Sequence, residues 1–372
     1  MNRTKKLLSV LTISLLLTSL TNVSFAASTE KLDYKSALDL SVSSSENLKV
    51  QDSKIKTAQD RYYNYCNFAV DAKYKVGNSD VEQIEYRKQE LLYPLQKFNA
   101  LTYLKYDKDA AIKNLKLDLT DKYFSFLIIN KEIELQSKVI ENTKKELEIA
   151  TSKLKAGKLT NTSFESIQSS LSEENFNLEQ LRRSRLNAEM ALNYLIGNEL
   201  EKDINIAEVD VPKADYSISI DAQQLDKLIS NYQNTDINVK KAKNDLEEAN
   251  IELKIINDNT NNKNYTGKEA LEDTVTNSTY KVNSALATVE STIRKEYNNL
   301  LNLNDDVSIS SIKYEMAKKD VELGQKKYEL GLTDYSSILN QIVQRDNAEI
   351  ALLKAKLSFY IQSLKFSDYM IK

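Results

Sequence analysis

Histidine and tryptophan are absent from the 372 residues, and cysteine occurs once, at Cys66. Without histidine the chain lacks the commonest general base and the commonest metal ligand. One cysteine forms no intrachain disulfide and no zinc–thiolate cluster. Glycine occurs six times and proline twice. The glycines stand apart at 77, 157, 197, 267, 324 and 331, so no phosphate-cradling glycine loop exists. Residues that punctuate turns and break helices are therefore scarce, and the chain is free to run in very long helices.

Metal and catalytic readings find little to stand on. The oxygen-rich segment from Asp258 to Glu269 lacks the central glycine of a calcium loop, Lys263 standing at that position. Acidic pairs such as Glu173-Glu174 and Glu247-Glu248 lie within helical pattern and read as solvated faces. The basic cluster Arg182, Arg183 and Arg185 reads as a solvated or inter-helix face. No enzyme activity, cofactor or metal is expected.

The chain opens with Arg3, Lys5 and Lys6, an apolar run from Leu7 to Leu20, and small residues at Ser24 and Ala26. That is the order of a secretory signal, predicted over residues 1–26. The competing reading is an uncleaved anchor. The run is short of the roughly 20 residues that span a bilayer. Past residue 26 the chain carries 48 basic and 54 acidic residues. A mildly acidic balance argues against a nucleic-acid partner.

The strongest positive signal is a heptad ladder: Ile112, Leu119, Phe126, Ile133, Ile140, Leu147 and Leu154. Apolar residues every seven positions predict a helix along a coiled-coil seam. The ladder recurs at Leu286, Ile293, Leu300, Val307, Tyr314, Val321 and Tyr328, each 174 residues later. Gly157 and Gly331 follow the two ladders at the same offset. Since 174 is not a multiple of seven, this is a true repeat and not heptads matching heptads. After each glycine a second helix is predicted, and the short connection makes it antiparallel to the first. A further helix precedes each ladder, from Tyr34 to about Tyr63 and from Asp221 to about Asn257.

The expected architecture is all-α, two tandem repeats of long antiparallel hairpins with little or no β-barrel. The first repeat takes residues 27–203, a linker takes 204–219, and the second repeat takes 220–372. Alternating Phe68, Val70, Ala72, Tyr74 and Val76 suggest a short strand, as does the linker around Pro212. Pro94 is expected to open or kink the first long helix.

At the glycine turns the sequence resembles the hairpin tips of TolC-like outer-membrane efflux proteins. The residues that carry this are Tyr328-Glu329-Leu330-Gly331-Leu332-Thr333-Asp334, then Ser337-Ile338-Leu339, with Lys155-Ala156-Gly157-Lys158-Leu159-Thr160 in the first repeat. The opening Leu32-Asp33-Tyr34-Lys35-Ser36-Ala37-Leu38 and the Tyr93-Pro94-Leu95 step are similar to that family's as well. The resemblance implies a homotrimer forming a hollow helical cylinder in the cell envelope. It implies contact with a periplasmic-type adaptor and an inner-membrane transporter. Through it, Gly157, Lys158, Leu159, Thr160, Gly331, Leu332, Thr333 and Asp334 become the candidate adaptor contacts. The family's barrel strands have no full counterpart here, which predicts a barrel-less relative. A different class of reading is an envelope-associated coiled-coil spacer or adhesin without transport.

Overall fold

The computed structural model describes residues 31–213, 220–260 and 267–370. The signal over residues 1–26, part of the linker and part of the Asn-rich loop lie outside them.

Four long helices make the body: α4 (Tyr93–Lys155), α5 (Asn161–Ile196), α8 (Lys268–Glu329) and α9 (Tyr335–Met370). At 1.5 Å per residue, the 63 residues of α4 reach about 95 Å. Ladder residues Leu119, Phe126, Ile140, Ile293, Leu300, Val307 and Val321 are buried; only Tyr328 of the two ladders is exposed. α4 packs on α5, α8 packs on α9, and α4 meets α9, so the layer runs α5–α4–α9–α8. α5 and α8 are its edges.

The seam between the two hairpins differs from the seams within them. Between α4 and α9, Lys113 pairs with Asp368, Lys131 with Glu349, Glu132 with Lys354, and Lys138 with Asp346. These pairs step down the two helices in opposite directions, fixing an antiparallel register. Such pairs stabilise little singly, but they discriminate register.

The helices that precede the ladders are each split in two, where the sequence predicts one. α1 (Tyr34–Ser44) and α2 (Glu46–Ala72) break at Ser45, whose hydroxyl accepts the Leu48 N–H at 3.4 Å. α6 (Ala222–Gln233) and α7 (Ile237–Asn259) break near Asp236, whose carboxylate accepts the N–H groups of Asn238 and Val239. An interior side chain that caps the next turn starts a new helix. Asp33 and Asp221 cap α1 and α6 in the same way, 188 residues apart.

The strand expected over Phe68–Val76 is not formed. α2 runs on to Ala72, an irregular connection follows, and α3 (Asp80–Arg87) passes into a π-helical turn (Lys88–Leu92). The alternating apolar residues lie on a helix end and a loop, where period two has no structural meaning. Pro94 does open the long helix, sitting in its first turn. No strand occurs among the described residues; an isolated parallel bridge joins Leu32 to Ile206. That bridge is all that the linker shows of its predicted strand among those residues.

The bridge is held by a tyrosine clasp. The Tyr123 hydroxyl lies 3.1 Å from the carbonyls of both Leu32 and Ala207. Its repeat counterpart, Tyr297, donates to the Ile220 carbonyl at 2.9 Å and accepts the Ile220 N–H at 3.0 Å. Each ladder helix thus ties down the segment leading into its own repeat.

Candidate functional site

Each hairpin tip is built from a helix stop and a helix start with five residues between them. α4 ends as Gly157 takes φ 66°, and α8 as Gly331 takes φ 69°. Only glycine enters that left-handed region without strain. The stops have one geometry. Lys158 N–H donates to the Lys153 carbonyl and Leu332 N–H to the Lys327 carbonyl, both at 2.8 Å. Gly157 N–H reaches the Leu154 carbonyl at 3.0 Å, and Gly331 N–H the Tyr328 carbonyl at 2.8 Å. This pairing is the Schellman motif, and it satisfies the last carbonyls of each helix.

The starts differ in chemistry. Thr160 caps α5, its hydroxyl accepting the Ser163 N–H at 3.2 Å. Asp334 caps α9, its carboxylate accepting the Ser337 N–H at 2.7 Å. Hydrogen bonds from Ser337, with help from the Lys153 charge, hold the Asp334 carboxyl below the usual carboxylate range. Lys153 belongs to the first hairpin, so the two tips stand side by side. The Lys145 ammonium on α4 is raised chiefly by Glu141 and further by Tyr335 on α9, which places them together again.

All eight residues predicted at the tips are therefore brought to one end of the molecule. Their surfaces are unequal. The first tip presents Lys158 in solvent and keeps Leu159 half-buried. The second exposes Leu330 and Leu332 to 74% and 72%. Tyr328 and Tyr335 flank them, about half exposed, with ring centroids 5.9 Å apart. Tyr335 is the one member of this apolar patch that the motif did not single out. Its signal was its place, directly after the cap Asp334.

A substituent at Gly157 or Gly331 would meet no atom within 4 Å. These glycines serve the turn alone and leave the tips open to a partner. Seven residues before the second tip, buried Gly324 does the reverse, letting the Gln341 side chain of α9 press against the α8 backbone. Among the described residues no group of acidic or cysteine side chains could hold a metal ion.

No family model matches the chain, and no curated protein matches it in sequence. Solved structures do match it. A membrane protein from Pseudomonas aeruginosa is 14% identical, with a TM-score of 0.63 over 96% of this chain and 100% of that one. The outer membrane protein VceC from Vibrio cholerae is 12% identical, with a TM-score of 0.60 over 91% and 95%. CusC, solved in a study of transmembrane channel formation, is 11% identical, with a TM-score of 0.65 over 94% and 95%. At these identities the likeness is one of fold. The described residues carry the helical-hairpin fold of TolC-like outer-membrane channels.

Proposed function

We propose that this chain is a conduit component of an envelope export system, exported and assembled as a homotrimer. Its paired tips then meet an adaptor protein, and through it an inner-membrane transporter. Residues 27–203 and 220–372 act as the two hairpin repeats of each copy, joined by the linker 204–219.

One observation carries this reading. The four-helix layer has two open edges, and both carry apolar residues. On α8, Ile309, Ile312, Met316 and Leu323 are about half exposed or more at helical spacing. On α5, Phe176 and Leu186 are as open. Counted from the tip glycines, Phe176 stands level with Ile312, Leu186 with Leu301, and Arg183 with Asp305. α5 and α8 run in opposite senses, so the α5 edge of one copy matches the α8 edge of the next. Such a head-to-tail contact closes into a ring when successive copies are related by a closed rotation, as the proposed trimer requires. The tips, with their unstrained open turns, remain free for a second partner.

Light scattering on the exported chain tests this. A trimer is expected, with Phe176→Glu or Ile312→Glu converting it to monomer at unchanged helicity. A wild-type chain that stays monomeric and ignores adaptor proteins overturns the conduit.

A further inference from the structure

The second repeat holds a cavity that the proposed conduit leaves unused. It measures about 450 Å³ and lies where the break between α6 and α7 meets α8 and the end of α9. Small-molecule pockets run from roughly 300 to 1,000 Å³. Ala285, Val289 and Ile293 of α8 give the cavity an apolar lining. Tyr232 and Tyr369 line it too, their half-buried rings 4.9 Å apart between centroids and crossed at 77°. Asp236 stands beside them at 7% exposure, where water screens its charge little.

The first repeat is packed tightly at the same place. Offsets of 188 and 174 residues put Ser44 where Tyr232 stands and Leu195 where Tyr369 stands. There α1 and α5 meet so closely that a Cβ on Gly197 would fall 2.4 Å from the Ser44 Cβ. In the second repeat two bulky rings stand between the helix ends, and the cavity opens beside them.

We propose that this cavity binds a small organic cation, an ammonium group carried on an aromatic or aliphatic body. Asp236, Tyr232 and Tyr369 select the charge. A carboxylate beside two tyrosine faces is the chemistry that recognises a desolvated ammonium. Burial comes first in raising both phenols, and the Asp236 charge adds to it in each, so the carboxylate lies close to the two rings. The carboxylate is also held in advance. The N–H groups of Asn238 and Val239 donate to its Oδ1 at 2.9 and 3.0 Å, and among the described residues nothing donates to Oδ2. A fixed anion with one oxygen open has little ordering left to do when a ligand arrives. The competing charge is Lys281, exposed at the edge of the cavity, whose flexible stem carries its ammonium into solvent. A ligand of the opposite sign would depend on that lysine and lie against Asp236. The cavity lies within one copy, so the inference does not rest on assembly.

Isothermal titration calorimetry of the exported chain with benzyltrimethylammonium tests it, with phenylacetate as the anionic counterpart. The cation is expected to bind one per chain, and phenylacetate about tenfold more weakly. Asp236→Asn keeps the α7 cap, because asparagine caps a helix as well as aspartate does. It should weaken the cation about tenfold while helicity and melting temperature stay unchanged. Tyr369→Leu should weaken the cation about threefold, and Lys281→Gln should leave it equal or tighten it. Absence of binding by the cation overturns the proposal, as does binding that survives Asp236→Asn. Tighter binding of phenylacetate that disappears in Lys281→Gln overturns it in favour of an anion. Cation binding seen only in Ile312→Glu, and not in the assembled wild type, overturns it by giving the cavity to a second copy.

Discussion

Tyr123 and Tyr297 do the same task one repeat apart, each fastening a peptide segment through a phenol deep in the helical layer. Tyr123→Phe and Tyr297→Phe should each cost about 1 kcal/mol in urea unfolding, the usual net worth of such a bond. Burial, reinforced by the Asp33 charge, pushes the Tyr123 phenol up to about 12. Burial likewise raises Tyr369 to about 12. The protonated phenol is what the folded state favours, so its contribution is complete below pH 10, the ordinary value. It fades as pH rises from 10 towards 12. Alkaline unfolding across that window, followed by phenolate absorbance, should be blunted in Tyr123→Phe. Asp334 works in the other direction: its lowered carboxyl keeps the α9 cap in place above the carboxylate range and gives it up as pH falls through the folded value. The clasp was open to sequence reading, since Tyr123 and Tyr297 share the offset of the ladders. It went unread because a tyrosine three residues from a ladder position looks like any amphipathic flank.

At the scale of the element, heptad spacing read the four long helices and both turns correctly, because one narrow apolar stripe repeats over dozens of residues. What it missed were breaks made by single side chains. Ser45 and Asp236 end one helix and begin another through capping bonds, with apolar periodicity continuing on both sides. The mistaken strand at Phe68–Val76 has the opposite cause: its alternation records exposure at a helix end, not pairing. The tip turns allow a direct test. Gly331→Val forces a branched side chain to φ 69° and should cost about 1–2 kcal/mol. Circular dichroism should stay nearly unchanged while adaptor docking weakens; wholesale unfolding would disprove the tip assignment. Within the second hairpin, Gly324 keeps a helix interior without a side chain, and buried Gln341 Oε1 has no hydrogen-bond partner. Gly324→Ala combined with Gln341→Ala removes both defects and should stabilise the chain by about 1 kcal/mol, read as a higher melting temperature.

At the scale of the whole molecule, the hairpins meet along a seam with an apolar centre, where Ile350 and Leu357 of α9 join the α4 core, and a rim of ion pairs. Besides the α4–α9 ion pairs, Asn99 of α4 donates to Glu248 of α7 at 2.7 Å, and Lys88 of the π-helical turn meets Glu252 of α7 at 2.5 Å. High salt should therefore screen the rim pairs while the apolar centre holds the hairpins together, and limited proteolysis near residues 204–219 should change little. The sequence held the hairpins but not this seam, because partners such as Lys113 and Asp368 are 255 positions apart and neither stands out along its own helix.

The repeats also differ in length. They hold register over the ladders at 174 residues, yet Asp33 and Asp221 are 188 apart, so the first repeat carries extra chain at the end away from the tips. Most of that surplus lies in residues 73–92, opposite only 260–267 in the second repeat. In a ring of copies, the longer connection of each first repeat would recur once per subunit around the rim. A flat surface resting on such a rim touches as many points as there are subunits. A contact made once by each subunit would be made several times by the ring, and its strength would multiply without any new residue.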